Sequence, residues 1–210
     1  MTASRDYRNY AAKMHAYAST DTDMEVDVRF VDMIAARSSH ILDIGCGIGN
    51  AVNGLRSRNH QAFGIDPTPE VLHVAHDLFD STWFRSMRAT DASAQALSAE
   101  GLPAKYDVIL MSGNVPAFLT ADELAETFNR AKDLLAPGGY LIIGTSTHAR
   151  GGPADQDACA SVTGLHLKHR YADWHLGQFR SECLWSVSVY SHSGSRPPAD
   201  GPDGIFILGH

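Results

Sequence analysis

The chain has 210 residues, 44% of them hydrophobic and 20% charged, which suits one domain with a continuous core and requires no second. Its formal charge of −7, with 17 Lys and Arg scattered along the sequence, argues against a broad nucleic-acid footprint, because phosphate binding draws on clustered cations. Cys46, Cys159 and Cys183 form no metal-ligand spacing, residues 1–6 lack an apolar signal core, and no stretch approaches the ~20 apolar residues of a membrane span, so a cytoplasmic chain with reduced thiols is expected.

Tyr7, Tyr10, Ala11, Met14 and Tyr17 fall at the three-and-four spacing of an amphipathic helix, whose tyrosine-rich face is expected to pack on the domain. Thr22 and Glu25 form a capping box for a second helix, carried by Val26, Phe30, Met33 and Ile34 toward Ser38. An apolar run from Ile41 to Ile44 is a buried strand, Gly45-Cys46-Gly47-Ile48-Gly49-Asn50 a tight turn, and Ala51, Val52 and Leu55 the start of a helix. Residues 61–65 read as a second strand ending at Asp66. Thr68 and Pro69 then supply an N-cap and first-turn proline for a helix through Val71, Leu72, Ala75, Leu78 and Phe79.

Residues 83–87 are a weakly patterned third strand leading to Asp91-Ala92, and residues 106–111 a clear fourth, ending in Ser112-Gly113-Asn114. Thr120 and Glu123 box the next helix, which shows Leu124, Phe128, Ala131 and Leu135 at helical spacing. Pro137-Gly138-Gly139 is expected to stop it before a fifth strand over 140–144. This alternation predicts a parallel sheet with helices on both faces. Ligands of such sheets sit at the carboxyl ends of the strands, which places the glycine turn, Asp66, Asp91 and Asn114 on one edge. Beyond residue 145 the pattern changes: a short helix over 157–163, then strands over 165–174 and 183–191 for an antiparallel end of the sheet. The apolar tail 205–208 is a third strand candidate.

A glycine turn of this kind is expected to aim unpaired backbone N–H groups and the positive end of a helix at an anionic group. The dinucleotide fingerprint G-x-G-x-x-G needs a glycine where Asn50 stands; the pattern here is G-x-G-x-G, preceded by Asp43. A carboxylate at that strand end repels a pyrophosphate but attracts an ammonium, so the ligand implied carries both charges, as an amino acid does. On these residues the sequence resembles the class I S-adenosylmethionine-dependent methyltransferases, whose first motif has the form D-x-G-x-G-x-G.

The resemblance runs from about residue 40 to 145 and includes Pro137-Gly138-Gly139. It implies an α/β, Rossmann-like three-layer sandwich with a mostly parallel seven-stranded sheet and an antiparallel C-terminal hairpin. Residues 1–38 would form a helical cap, 39–145 the cofactor-binding core and 146–210 the antiparallel end of a single domain, in a family that usually ends with two strands. S-adenosylmethionine is the cofactor implied. Asp43, Gly45, Cys46 and Gly47 would bind it, and Asn114 would lie beneath its methionine portion. Pro67 would lie against adenine, and Asp91 with Ala92 would hold the adenine amino group. Asp66 is placed to accept hydrogen bonds from both ribose hydroxyls. An ordinary helix-start acid is the alternative for Asp66, and an exposed turn acid for Asp91.

Methyl transfer from a sulfonium is an in-line displacement with a good leaving group, so most of the catalytic work is positioning. A general base is needed only if the attacking atom begins protonated. His148, just past the fifth strand, is the candidate for that role, with Tyr10 or Tyr17 behind it; an exposed loop histidine is its plainer reading. His166 and His169, three apart on a strand, would point to opposite faces, so no metal site is expected. Trp174, Phe179 and Trp185 suit either a substrate pocket or the core. Asn114-x-Pro-Ala lacks the prolines and terminal aromatic of the N-P-P-aromatic motif of base and glutamine methyltransferases.

The acceptor expected is therefore a small molecule, handled by a monomer or homodimer without nucleic acid or membrane. Two other readings stay open: a protein that binds the cofactor without transferring anything, and a nicotinamide-dependent oxidoreductase, against which Asn50 and Asp43 speak.

Overall fold

The computed structural model describes residues 23–192 and the single positions 9, 12, 13, 16 and 20. Tyr7, Tyr10, Ala11, Met14 and Tyr17 of the expected leading helix, Thr22 of the expected cap, and the tail 205–208 lie outside the described residues.

Among the described residues, seven strands form one sheet: β1 (His40–Ile44), β2 (Gln61–Asp66), β3 (Phe84–Ser86), β4 (Tyr106–Met111), β5 (Leu135–Ser146), β6 (His166–Tyr171) and β7 (Trp185–Ser191). Their spatial order is β3-β2-β1-β4-β5-β7-β6. Pairings from β3 across to β5 are parallel, and β7 runs antiparallel to both β5 and β6. Among the described residues the α-helices are α1 (Val26–Ile34), α2 (Asn50–Arg56), α3 (Pro69–Leu78), α4 (Ala94–Ala99), α5 (Ala121–Leu134) and α6 (Pro153–Thr163).

Alternate side chains of a strand point to opposite faces, and a parallel sheet covered on both sides needs apolar residues at both parities. Ile41, Val108, Leu110 and Ile142 share one core with Val31 of α1, Leu55 of α2 and Leu72 of α3. Leu42, Ile44, Ile109 and Ile143 share the other with Leu97 of α4, Phe128 of α5 and Ala160 of α6. Because β1 feeds β2 on one side while its other neighbour is β4, a crevice opens at the carboxyl ends of these strands. No helix among the described residues is long and apolar enough to cross a membrane.

Several elements differ from the sequence expectation for local reasons. Helix α1 stops at Ile34 because Ala35 is extended, with ψ 144°, and the Ser39 hydroxyl donates to Ala36 O to fix the turn that follows. Asp80 accepts from Thr82 N at 2.9 Å and holds Ser81–Trp83 in a 3-10 turn, which leaves only Phe84–Ser86 as strand. Pro137-Gly138-Gly139 lies inside β5: Leu135 faces Tyr106, the register slips, and Tyr140 faces Val108. Gly138, at φ 76°, absorbs that slip. Helix α6 starts at Pro153, four residues before Asp157, with proline in its first turn as that residue's fixed φ favours.

A second bulge falls between Leu167 and His169. It brings His166 and His169, which pair with Ser191 and Val189, to the same face of the edge strand rather than to opposite faces. Both are exposed, and no group of three His, Cys, Asp or Glu suited to a metal ion occurs among the described residues. The Thr120–Glu123 box forms as expected: Glu123 N donates to Thr120 Oγ1 at 3.2 Å, and Thr120 N donates to Glu123 Oε2 at 2.9 Å.

Candidate functional site

A cavity of about 820 Å³ opens at the carboxyl ends of β1, β2 and β4. Of the expected site residues it is lined by Gly45, Gly47, Asp66 and Pro67. Asp43, Cys46 and Ala92 are buried outside its lining, Asp91 is exposed, and Asn114 is half-buried.

The glycine turn is built around the end of β2. Gly45 N and Cys46 N both donate to Ile65 O, at 2.8 and 3.2 Å, Gly47 N donates to Asp66 Oδ2 at 3.1 Å, and Gly49 N donates to Cys46 O at 3.0 Å. These four amides, expected to be free for an anion, are satisfied within the protein. Its glycines are needed for shape. Gly49 sits at φ 85°, and a Cβ there would stand 2.6 Å from the Phe84 ring. Gly47, at φ 55°, has nothing within 4 Å of where a Cβ would be, so its face is open space.

Asp66 joins the turn to the next helix, since its Oδ1 accepts from Thr68 N at 2.8 Å while its Oδ2 holds Gly47. Burial raises its proton affinity, and the Thr68 and Gly47 bonds work against that rise. Asp43, 2% exposed beneath the turn, has an Oδ1 with no hydrogen-bond partner. Its pKa stands well above the carboxylate range, first because of burial and then because of the charges of Asp27 and Asp66. Burial raises the Cys46 thiol too, which makes it a packing residue rather than a nucleophile.

Beyond β3 the wall is made by Met87, Arg88, Ala89 and Thr90 rather than by Asp91 and Ala92. A 3-10 turn over Ala89–Asp91 explains the offset: Asp91 N donates to Arg88 O, Ala92 N donates to Ala89 O, and the Asp91 carboxylate accepts from the Thr90 hydroxyl. Val115, Phe118, Leu119 and Glu123 close the opposite wall. Arg88 and Glu123 form an ion pair that ties the two walls together, a long-range contact that local sequence patterning does not announce. Phe118 is half exposed.

Asn114 acts as a strut. Its Oδ1 accepts from the Thr145 hydroxyl at 2.6 Å and from Ser146 N at 3.0 Å, tying the end of β4 to the end of β5, and its backbone is left-handed at φ 65°. Asn114→Ala is expected to cost about 2–3 kcal/mol, from two hydrogen bonds at about 1 kcal/mol each plus the left-handed penalty. Asn114→Gly, free of that penalty, should lose less in the same urea titration; equal losses would contradict the assignment.

His148 is exposed in the turn after β5 and does not line the cavity. Trp174 and Trp185 pack against the core beneath α1, and Phe179 lies under the Arg170 guanidinium at 5.6 Å.

Comparisons with known proteins bear on this geometry. A family model described as a methyltransferase domain matches residues 42–141. An alpha N-terminal protein methyltransferase 1 of Arabidopsis thaliana is 26% identical over 182 residues, covering 81% of this chain and 65% of that protein. A ubiquinone biosynthesis O-methyltransferase of Leptothrix cholodnii is 31% identical over 108 residues, covering 50% of this chain and 43% of that protein. The chain thus spans less than two thirds of either relative. Among solved structures, a TehB-like S-adenosylmethionine-dependent methyltransferase from Corynebacterium glutamicum superposes with a TM-score of 0.79 at 24% identity, over 88% of this chain and 96% of that one. That likeness is one of fold.

Proposed function

We propose that this chain, whose residues 42–141 form a methyltransferase domain on the Rossmann-like sheet of the class I S-adenosylmethionine-dependent enzymes, transfers a methyl group to a small-molecule acceptor. The observation that carries the reading is Asp43: a buried carboxylate with an unpartnered oxygen, below a turn in which the amides of Gly45, Cys46, Gly47 and Gly49 already donate within the protein. An acid buried beneath the turn disfavours a phosphate above it, which favours an aminoacyl nucleoside over a dinucleotide.

The residues present fit that cofactor. Asp66, with two of its roughly four lone-pair directions used on Gly47 and Thr68, keeps acceptor capacity toward the cavity for ribose hydroxyls. Pro67 and the wall Met87–Thr90 offer a largely apolar slot for a base, and the open face of Gly47 lets a ligand approach the backbone. When bound, S-adenosylmethionine supplies an electrophilic methyl on a sulfonium. The protein's part is to position the acceptor and to keep water from the reacting atoms.

The acceptor class is supported by the acidic charge, the scattered cations and the apolar lip of Val115, Phe118 and Leu119. The relatives named act, by their names, on a protein N-terminus and in ubiquinone biosynthesis, so their acceptors differ. Incubating the protein with a metabolite extract and methyl-labelled cofactor should give a labelled small molecule and S-adenosylhomocysteine. Neither product would mean a binder without transfer, and a melting temperature raised by NADH but not by S-adenosylmethionine would mean an oxidoreductase.

A further inference from the structure

Three of the described residues that line the cavity carry charge: Asp66 at the end of β2, and Arg88 and Glu123, which face each other from opposite walls. Arg88 Nη2 donates to Glu123 Oε1, so the pair spans the gap between the turn after β3 and the start of α5. Its two ends are held very differently. Glu123 is a fixed post, because its Oε2 accepts from Thr120 N at 2.9 Å and from the Thr120 hydroxyl at 3.1 Å within the capping box of α5. Arg88 is a long arm. Its side chain is 59% exposed, and among the described residues its guanidinium bonds to Glu123 alone.

The wall that carries Arg88 is anchored independently of this pair. Arg130, two turns beyond Glu123 on the same face of α5, donates from Nε to Thr90 O at 3.0 Å and is itself paired with Glu126 at 2.7 Å. Opening the Arg88–Glu123 pair therefore leaves both walls tied and frees only the arm. An ion pair this exposed adds little to stability, so a surface brace is its plainer role. Its place argues for more: both partners reach solvent and both line the cavity, which puts the pair across the open side of the slot between Met87–Thr90 and Val115–Leu119.

Resting on the proposed cofactor, we propose that the Arg88–Glu123 pair is a gate over the base slot, a side-chain strap that opens to admit the nucleoside and opens again to release it. Exposed side chains rotate in picoseconds to nanoseconds, far faster than a ligand exchanges, so the gate acts through the fraction of time it stands open. A strap that touches the two walls and not the ligand is equally stable over an empty and a filled slot. It therefore slows entry and exit by one common factor. The small stability of exposed ion pairs limits that factor to about fivefold.

The test uses the full chain with S-adenosylhomocysteine as the ligand, and reads association and dissociation rates by surface plasmon resonance. Arg88→Met keeps an unbranched stem and removes the charge, and Arg88→Gln repeats the measurement with a polar side chain. At about 0.1 M KCl both variants should associate and dissociate about three- to fivefold faster than wild type, while Arg88→Lys, able to re-form the pair, returns toward wild-type rates. Raising KCl to about 1 M shortens the screening length from about 10 Å to about 3 Å, and should bring wild type toward the rates of the uncharged variants. Unchanged rates, with or without a lower urea midpoint, would reduce the pair to a brace and overturn the gate. Faster dissociation with unchanged association would overturn it too, since that marks a direct contact of Arg88 with the ligand. Failure of the wild-type protein to bind S-adenosylhomocysteine would instead bring down the cofactor reading, and the gate with it, so the two failures are distinct.

Discussion

Asp66→Ala is expected to lose S-adenosylmethionine affinity by about two orders of magnitude or more and to lose stability as well. Two charge-assisted hydrogen bonds to ribose hydroxyls, at roughly 1.5–3 kcal/mol each, account for the first effect. The second follows from what the carboxylate already does. It accepts from Gly47 N and Thr68 N, and alanine leaves both amides without their partner at the rim of a partly buried turn. An unsatisfied group of that kind costs about 1–3 kcal/mol. Asp66→Asn separates the two effects. Its amide oxygen can keep one of the backbone donors, while its NH2 group opposes the other, so stability should recover in part and affinity should not recover with it. Calorimetry and urea titration on the three proteins measure both quantities. A variant that binds normally despite a lower melting point would show Asp66 to be a loop brace and no more.

The fold was legible where strands are long, buried on both faces and bounded by turn residues. Residues 106–111 of β4 stand alone between Lys105 and Ser112 as an almost unbroken apolar run, and the structure keeps those bounds. Edge strands carry less pattern, because one side of them meets solvent. His166 to His169 are exposed in β6, and β3 has only Phe84 buried, so neither run displays its ends in sequence. The bulge that turns His166 and His169 to one face is set by pairing with β7, which no count along the chain reveals.

The site divides in the same way. The positions of Asp43 and Asp66 are readable because each stands at or next to the end of a buried strand that a turn and a helix follow, a position set by local sequence. The state of the loop amides was not readable, since Ile65 O, from the neighbouring strand, takes two of them. The offset between the expected pair Asp91-Ala92 and the lining residues Met87–Thr90 comes from one 3-10 turn, whose hydrogen bonds are too local and too short-ranged to leave a periodic signal.

Asp43→Asn should move stability and binding in opposite directions. In the ligand-free protein the carboxylate is buried, carries an oxygen without a donor and lies near the charges of Asp27 and Asp66. Its folded-state pKa is therefore raised above the ordinary 3.8. A raised acid pKa means that the folded chain holds a proton the unfolded chain has released. Stability must then fall as pH climbs from 3.8 through the raised value, and above that value the loss is complete. Asparagine removes the titration, so the ligand-free variant should show a flatter pH profile from this group and, on the alkaline side of the window, a melting temperature a few degrees above that of wild type. The cofactor reverses the balance. In the proposed binding mode its ammonium favours the ionised carboxylate, so binding is expected to expel a proton and affinity to climb with pH across the same window. Calorimetry in buffers of different ionisation enthalpy should detect that proton in wild type and a smaller release in Asp43→Asn, together with an affinity about tenfold lower. Wild-type binding by the variant, or a ligand-free melting point below that of the parent at alkaline pH, would show that the buried charge is not held there for a cation.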